Sequence, residues 1–513
     1  MKKNILLLAT INLLVLNFTV LLYAQQPTYA KIYDYSYQVQ AYSIVKTFDN
    51  GYIIAGEESN EALVYKIDSS SSIVWKKKIG SNNQESFKCL ITTFDSCYVM
   101  AGNIFNTVDS TSDILCVKIN SNGDTLWTKE IDMGYDDYAL SVQQTFDNGY
   151  ILAGYSSQNS MPLSMIAVVK LDVNGNLIWG KTFSAGNFDN FAYSVKQMPD
   201  SGYVVIGYVD SLSTSDQRTF LMKLNSLGDI SWTKKQLIVS SNYTLGWDIM
   251  VTTNGLICYL GANTNNSIIM KSDFSGNVLW SKKYNVNTFN YDPTIPILKL
   301  HYISDNVYIY NSGLAFTKID TAGIPLWTKE GPLQTINDVL ENPDKGFMIL
   351  GNPAMITKVY GYISLIKADS LGQCGNAYCD TWNSVPSYTA YPINMSTAFF
   401  TSASTAVNIL SHPVIANALL AIQGDGCVIG GIEESKTDKN ALQVFPDPAI
   451  DNITIAPPEK STIEILNIAG QIIKTIYTTD KQTSIDVSDL SSGVYIIKAK
   501  TERGVVVKKF IKE

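Results

Sequence analysis

Phe146-Asp147-Asn148-Gly149-Tyr150-Ile151-Leu152-Ala153-Gly154, continued by Lys170-Leu171-Asp172-Val173-Asn174-Gly175-Asn176-Leu177-Ile178-Trp179, is one copy of a unit that recurs seven times between Tyr42 and Gly372. Its first half returns as Phe48-Asp49-Asn50-Gly51-Tyr52-Ile53-Ile54-Ala55-Gly56, and its second half places Trp75, Trp127, Trp179, Trp232, Trp280 and Trp327 at intervals of 47 to 53 residues. A steady period of about 50 residues made of short strands marks a repeat architecture. Asn-Gly between alternating apolar residues signals a tight hairpin, because such turns need φ > 0. The Phe-Asp-Asn-Gly-Tyr segment supplies a second hairpin one strand earlier. Each unit therefore reads as four antiparallel strands, and a sheet that cannot bury both faces alone must stack radially as a blade.

The seventh copy contains Gly346-Phe347-Met348-Ile349-Leu350-Gly351 and Leu365-Ile366-Lys367-Ala368-Asp369, but the place of its Trp is taken by Asn376. Its last strand is missing. At the other end, Tyr29-Ala30-Lys31-Ile32-Tyr33 precedes the first unit, and Tyr29 lies 14 residues before Ser43 as Trp127 lies 14 before Ser141. Pairing these two remnants removes two open sheet edges. The expectation is an all-β chain, with a seven-bladed β-propeller over residues 27–372 closed by the N-terminal strand. The sixth copy is degenerate, reading Asn306-Val307-Tyr308-Ile309-Tyr310-Asn311. The repeated Trp is expected to pack between blades. The Lys two residues later (Lys77, Lys129, Lys181, Lys234, Lys282, Lys329) is expected to be a solvated edge charge.

Aromatic residues make up 11% of the 513 residues, with 30 Tyr, and charged residues only 16%. That is a β-rich composition suited to an extracellular protein. A net charge of −8 lacks the basic footprint that nucleic acid or an anionic membrane surface requires. Lys2 and Lys3, the apolar stretch Ile5 to Leu22, and Leu22-Tyr23-Ala24 before Gln25 read as a signal peptide over residues 1–24. No later segment is long and apolar enough to span a bilayer. Cys89, Cys97, Cys116 and Cys258 are expected to act as small apolar residues. Cys374, Cys379 and Cys427 cluster late, where a Cys374–Cys379 or a Cys379–Cys427 bridge could form. With two His and no CxxC pair, neither a metal site nor a cofactor is expected.

Residues 373–436 have almost no basic residues and many Ser, Thr and Ala, and read as a small irregular β segment ending in a linker. The last part of the chain carries Leu442-Gln443-Val444-Phe445-Pro446-Asp447-Pro448-Ala449, Ile465-Leu466-Asn467-Ile468-Ala469-Gly470-Gln471, Ile485-Asp486-Val487-Ser488-Asp489-Leu490-Ser491-Ser492-Gly493-Val494-Tyr495 and Lys508-Lys509-Phe510-Ile511-Lys512. Residues 440–513 thereby resemble the C-terminal sorting domain of the type IX secretion system of Bacteroidetes. Asp447 stands where that family usually has Asn. The resemblance implies a seven-stranded β-sandwich, engagement of the secretion machinery, and cargo released or held at the cell surface. Pro446, Pro448, Gly470, Gln471, Gly493, Tyr495 and Lys512 carry the match. Independently, Thr462-Ile463-Glu464-Ile465 and Val494-Tyr495-Ile496-Ile497-Lys498 alternate as half-buried strands do. The upstream repeats are similar to a propeller type common in exported proteins of the same bacteria, and that likeness implies no activity.

Chemistry is sparse. His301 and His412 lie in different regions with no nucleophile nearby in sequence, and no phosphate loop or HExxH pattern is present. Asp172–Asn176 and Asn120–Asp124 resemble the opening of a calcium loop, but no Glu follows at the twelfth position. The Trp strand is similar to that of quinone-dependent dehydrogenases, whose vicinal cysteines are absent. Asp136, Asp137 and Asp189 follow the Trp strand on the way into the next blade and are the candidate acid–base groups. As turn residues they would serve only local backbone bonding. Tyr138, Phe191, Tyr193, Tyr243 and Trp247 are the candidate ligand platforms, or else seals between blades. The expected function is a secreted, non-enzymatic module that binds a glycan or another surface protein. The alternatives are a polysaccharide-active hydrolase or lyase using the face carboxylates, and a structural surface component.

Overall fold

A computed structural model of the chain describes residues 28–512 except for connecting stretches, the longest of them 286–298 and 419–442. The signal-like segment, Cys374, Cys379 and Cys427 lie outside the described residues. The chain divides into two compact units, residues 1–421 and 422–513.

In the first unit the repeats become antiparallel sheets of consecutive strands. The third sheet, Asp136–Gln144, Tyr150–Gln158, Leu163–Leu171 and Leu177–Ser184, is representative. Among the described residues seven such sheets occur. Their innermost strands touch in sequence: Val39–Lys46, Glu85–Thr92, Asp136–Gln144, Asn190–Gln197, Thr244–Thr252, Leu300–Ile303 and Leu333–Glu341, with the last against the first. Tyr29–Tyr33 pairs antiparallel with Ile363–Ala368, Tyr29 opposite Lys367, so the N-terminal strand completes the sheet begun by the seventh repeat. The chain thus closes its own ring of blades.

The two hairpin types solve the φ > 0 requirement differently. In Asp172–Asn176 the positive φ (74°) falls on Gly175, and the Asp172 carboxylate accepts the amides of Asn174 and Asn176. In Asp147–Asn148–Gly149 it falls on Asn148 (64°), not on the glycine. Gly149 is required for another reason: a Cβ there would stand 2.3 Å from the Leu171 carbonyl oxygen. Asn tolerates the left-handed region because its short side chain can bond locally.

The repeated Trp seals neighbouring blades as expected. Trp127 meets Tyr150 of the next blade edge-on at 5.7 Å, and Trp179 meets Tyr203 at 5.9 Å. Each also covers the next blade's turn glycine. A Cβ at Gly323 (φ 73°) would lie 2.7 Å from the Trp280 ring. Gly323→Ala is therefore expected to cost about 1–3 kcal/mol in urea unfolding, from backbone strain plus overpacking. Gly134→Ala, where φ is 96° but a Cβ would meet nothing within 4 Å, is expected to cost only the strain share. Equal losses for the two would refute the packing role of Trp280.

The Lys that follows is not a solvated edge charge. Lys77 reaches Asp124 of the next blade at 3.2 Å, and Lys181 reaches Asp229 at 2.6 Å. Its strand is not an open edge either. Within residues 373–436, expected to form a small irregular β segment, residues 383–418 supply a fifth strand to each of the first six blades. Asn383–Ser384 pairs with the sixth blade, Tyr388–Ala390 with the fifth, Met395–Thr397 with the fourth, Thr401–Ser404 with the third, Asn408–Leu410 with the second and Ile415–Ala418 with the first. All six pairings are antiparallel. A blade's outermost strand exposes a row of unpaired N–H and C=O groups, and this belt takes them up.

In the second unit Gln443–Phe445, Asn452–Ala456 and Thr483–Asp486 make one sheet, while Ile472–Thr478, Ser461–Asn467, Gly493–Thr501 and Gly504–Lys512 make another. Ile453, Ile455 and Ile485 from the first meet Ile463, Ile465, Ile497 and Phe510 from the second in one core. Tyr495 stacks on Phe510 and donates its hydroxyl to the Ser491 carbonyl at 2.9 Å. Gly493 pairs with Lys512 across the last two strands. Pro446, Pro448, Gly470 and Gln471 lie outside the described residues.

Candidate ligand-binding site

The innermost strands carry a repeated irregularity that builds the centre of the ring. Their register shifts between Ala41 and Ser43, Phe87 and Cys89, Ala139 and Ser141, Ala192 and Ser194, Gly246 and Asp248, and Ile336 and Asp338. Such a bulge adds one unpaired residue and re-aims its neighbours. It also explains the glycine that ends each Tyr-Ile-Ile-Ala-Gly strand: a Cβ at Gly154 would lie 1.8 Å from the Tyr138 carbonyl oxygen. The added residues include Tyr193 and Trp247, whose rings lie 4.6 Å apart.

The residues after the bulges face a central cavity of ≈ 260 Å³ lined by Ser43, Cys89, Ser141, Ser194, Asp248, Lys299, His301 and Asp338, with Tyr193, Lys196 and Trp247. Neighbouring blades are tied together there. Ser141 Oγ accepts the Val195 amide at 3.2 Å, Asp248 accepts the Leu300 amide at 3.0 Å, and Asp338 accepts the Ile44 amide at 3.2 Å. Asp338 is the hub. It pairs with Lys299 Nζ at 2.6 Å and with His301 Nε2 at 2.8 Å, although its own side chain is 2% exposed. Burial alone would push its carboxyl up, but Lys299 and His301 outweigh it and hold the group well below the usual carboxylate range.

Sequence reasoning missed this network, because Asp248, Lys299, His301 and Asp338 come from three different blades. Of the residues it did single out, Tyr193 and Trp247 line the cavity and the three carboxylates do not. Asp136 opens an innermost strand and Asp189 immediately precedes one; neither lies in mid-connection. Asp136 accepts the Ser112 amide and Asp189 the Ser164 amide, each at 2.8 Å, so both cap the preceding blade. Asp137 is fully buried and accepts the Met133 amide at 2.7 Å. Burial pushes its carboxyl up to about 7. Tyr138, Phe191 and Tyr193 join Tyr155 and Tyr208 in a ring ladder: Tyr138 on Tyr155 at 4.7 Å, Tyr155 on Phe191 at 4.5 Å, Phe191 on Tyr208 at 5.1 Å and Tyr193 on Tyr208 at 5.9 Å. Tyr138 and Phe191 are partly buried and seal blade junctions. Tyr193 and Trp247 also line the cavity. Tyr243 lies outside the described residues.

Residues 443–513 match the family of the secretion system C-terminal sorting domain. This segment is a type IX secretion sorting domain. The sorting domain implies handling by the type IX machinery, and the protein is secreted or held at the outer cell surface. Among the described residues no helix is long and apolar enough to cross a membrane. No curated protein matches the chain. Solved structures resemble it remotely. PorZ, a surface component of the type IX secretion system of Porphyromonas gingivalis, is 9% identical, with 92% of this chain and 59% of that one covered at a TM-score of 0.39. The Dos1 propeller is 10% identical, with coverages of 65% and 80% and a TM-score of 0.41. The extracellular domain of the two component system BT4673 from B. thetaiotaomicron is 9% identical, with coverages of 95% and 60% and a TM-score of 0.36. The chain thus spans about three fifths of the length of PorZ and of the BT4673 domain.

Proposed function

We propose that this protein is a non-enzymatic binding or adhesion module that the sorting domain delivers outside the cell, and that its ligand is a glycan or another surface protein. The observation that carries this reading is how the face carboxylates are used. Glycoside hydrolysis needs two carboxyl groups facing each other across a substrate. Asp136 and Asp189 instead hold backbone amides at two separate junctions, and Asp137 is fully buried. The cavity offers polar groups that recognition uses, Lys196, Lys299, His301 and Asp248, over the nearly buried Tyr193 and Trp247 rings. Aromatic faces stack on apolar surfaces while the polar groups fix orientation.

The test incubates the full chain with a panel of polysaccharides and records both retention and soluble products. Retention without products is expected, and Trp247→Ala is expected to weaken it at least about tenfold, the scale of one aromatic hot spot. Soluble products lost in Asp137→Asn or Asp189→Asn would assign an enzyme instead. Neither retention nor products would move the reading to a protein partner or a structural role.

A further inference from the structure

Away from the cavity, at the junction of the second and third blades, three carboxylates converge. Asp113 lies near the start of Thr111–Ile119, Asp132 ends Thr125–Asp132, and Asp137 follows at the head of the third blade. One oxygen from each lies within 4.8 Å of the other two. Asp113 and Asp137 are fully buried, and Asp132 is partly exposed.

Each of the buried pair has one oxygen occupied and one without a hydrogen-bond partner among the described residues. Asp113 Oδ2 accepts from Asn106 at 3.3 Å and Asp137 Oδ2 accepts the Met133 amide, while Oδ1 of both is unpartnered and buried. Asp132 is oriented by the Gly134 amide at 2.6 Å. A buried carboxylate oxygen with nothing to bond is costly, and two of them on residues whose carboxylates converge call for a proton or a cation. Burial and the neighbouring Glu130 push Asp113 well up, as burial does Asp137. Among the described residues no Lys or Arg forms an ion pair with the three.

The repeat supplies an internal comparison. Counting from the repeated Lys and Trp, the places of Asp113, Glu130, Asp132 and Asp137 are held at the first junction by Glu61, Lys78, Gly80 and Glu85. There Lys78 pairs with Glu61 at 2.5 Å and Glu58 at 3.2 Å. At the third junction they are Met165, Thr182, Ser184 and Asn190, with no charge, and Asn190 gives the Ala185 amide the bond that Asp137 gives Met133. Of these three junctions, the second puts acid in place of that lysine, and its cluster lacks a cation.

We infer that Asp113, Asp132 and Asp137 form a calcium site that ties the second blade to the third. The donors are all hard oxygens, and their spread suits one ion with bonds of about 2.4 Å. The partly exposed Asp132 gives the ion a way in. The site needs no calcium-loop motif, because its ligands come from two blades.

The test uses the full chain stripped with a chelator and titrated with calcium, and separately with magnesium, by calorimetry and thermal unfolding. Calcium is expected to bind with a Kd at or below the about 10⁻⁴–10⁻³ M of extracellular modules, to raise the melting temperature, and to outcompete magnesium. Asp113→Asn and Asp137→Asn keep the shape and remove the charge. Each is expected to lose at least about tenfold in calcium affinity while melting no lower than the stripped wild type. Asp189→Asn, at the next junction, is expected to keep the calcium response. No calcium-dependent heat or stabilisation in the stripped wild type would overturn the proposal. Undiminished binding in both Asn variants would do so too.

Discussion

Replacing residues 383–418 with a Gly/Ser stretch of equal length is expected to make the protein aggregate and to lower its melting temperature. The belt contributes two to four residue pairs at each of six blades. A Gly/Ser chain keeps the connection to the sorting domain but holds no extended conformation, so six edges would open at once. Each open edge presents unpaired backbone groups and is a template for pairing with another molecule. The strands beneath the belt also carry exposed apolar side chains such as Val74, Leu126, Ile178 and Leu279. Light scattering and size exclusion of variant and parent check the outcome. A variant that stays as dispersed as its parent and melts at the same temperature would show that the edges need no cover.

Asp338→Ala is expected to destabilise the first unit by about 3 kcal/mol, the lower end of what breaking a buried ion pair costs, because Lys299 and His301 keep some exposure to water. The substitution strands a lysine and a histidine in the ring and frees the Ile44 amide of the first blade, so it unties the sixth and seventh blades from the first. Asp338→Asn should cost less. The acid dependence follows from the depressed carboxyl. Its stabilisation is complete above the unfolded-state value of about 3.9 and is lost as pH falls below that toward the folded-state value. The stability gap between parent and Asp338→Asn should therefore be flat above about pH 5 and shrink toward pH 2. A gap that widened in acid would contradict the network.

How far the sequence revealed these features follows from how local they are. The hairpins around Gly149 and Gly175, the Trp between blades and the pairing of Tyr29–Tyr33 with the unfinished seventh repeat were legible, since each is written within one repeat or in the phase between repeats. The belt was not. Its strands are two to four residues long, too short for alternation to show, and their only signal was a recurrence every five to seven residues between Asn383 and Ile415. The Asp248, Lys299, His301 and Asp338 network was illegible for another reason: a ring places equivalent positions of different repeats side by side, so partners lie tens or hundreds of residues apart. The same holds for Asp113 and Asp137. Read along the chain they lie 24 residues apart; read around the ring they are neighbours. The lysine after each Trp was misjudged because its partner is the next repeat's turn.

The order in which the belt visits the blades gives the molecule a direction in time as well as in space. Its first strand meets a partner about 55 residues back along the chain, and its last meets one about 340 residues back. Closing a loop costs more as the loop lengthens, though slowly, and each docked strand shortens the remaining search for the next. The belt should therefore zip from the sixth blade toward the first and, under stress, peel from Ile415–Ala418 backward. Amide hydrogens along Ile73–Gly80 should then exchange before those along Pro325–Glu330, and the first blade would be where this ring begins to come undone.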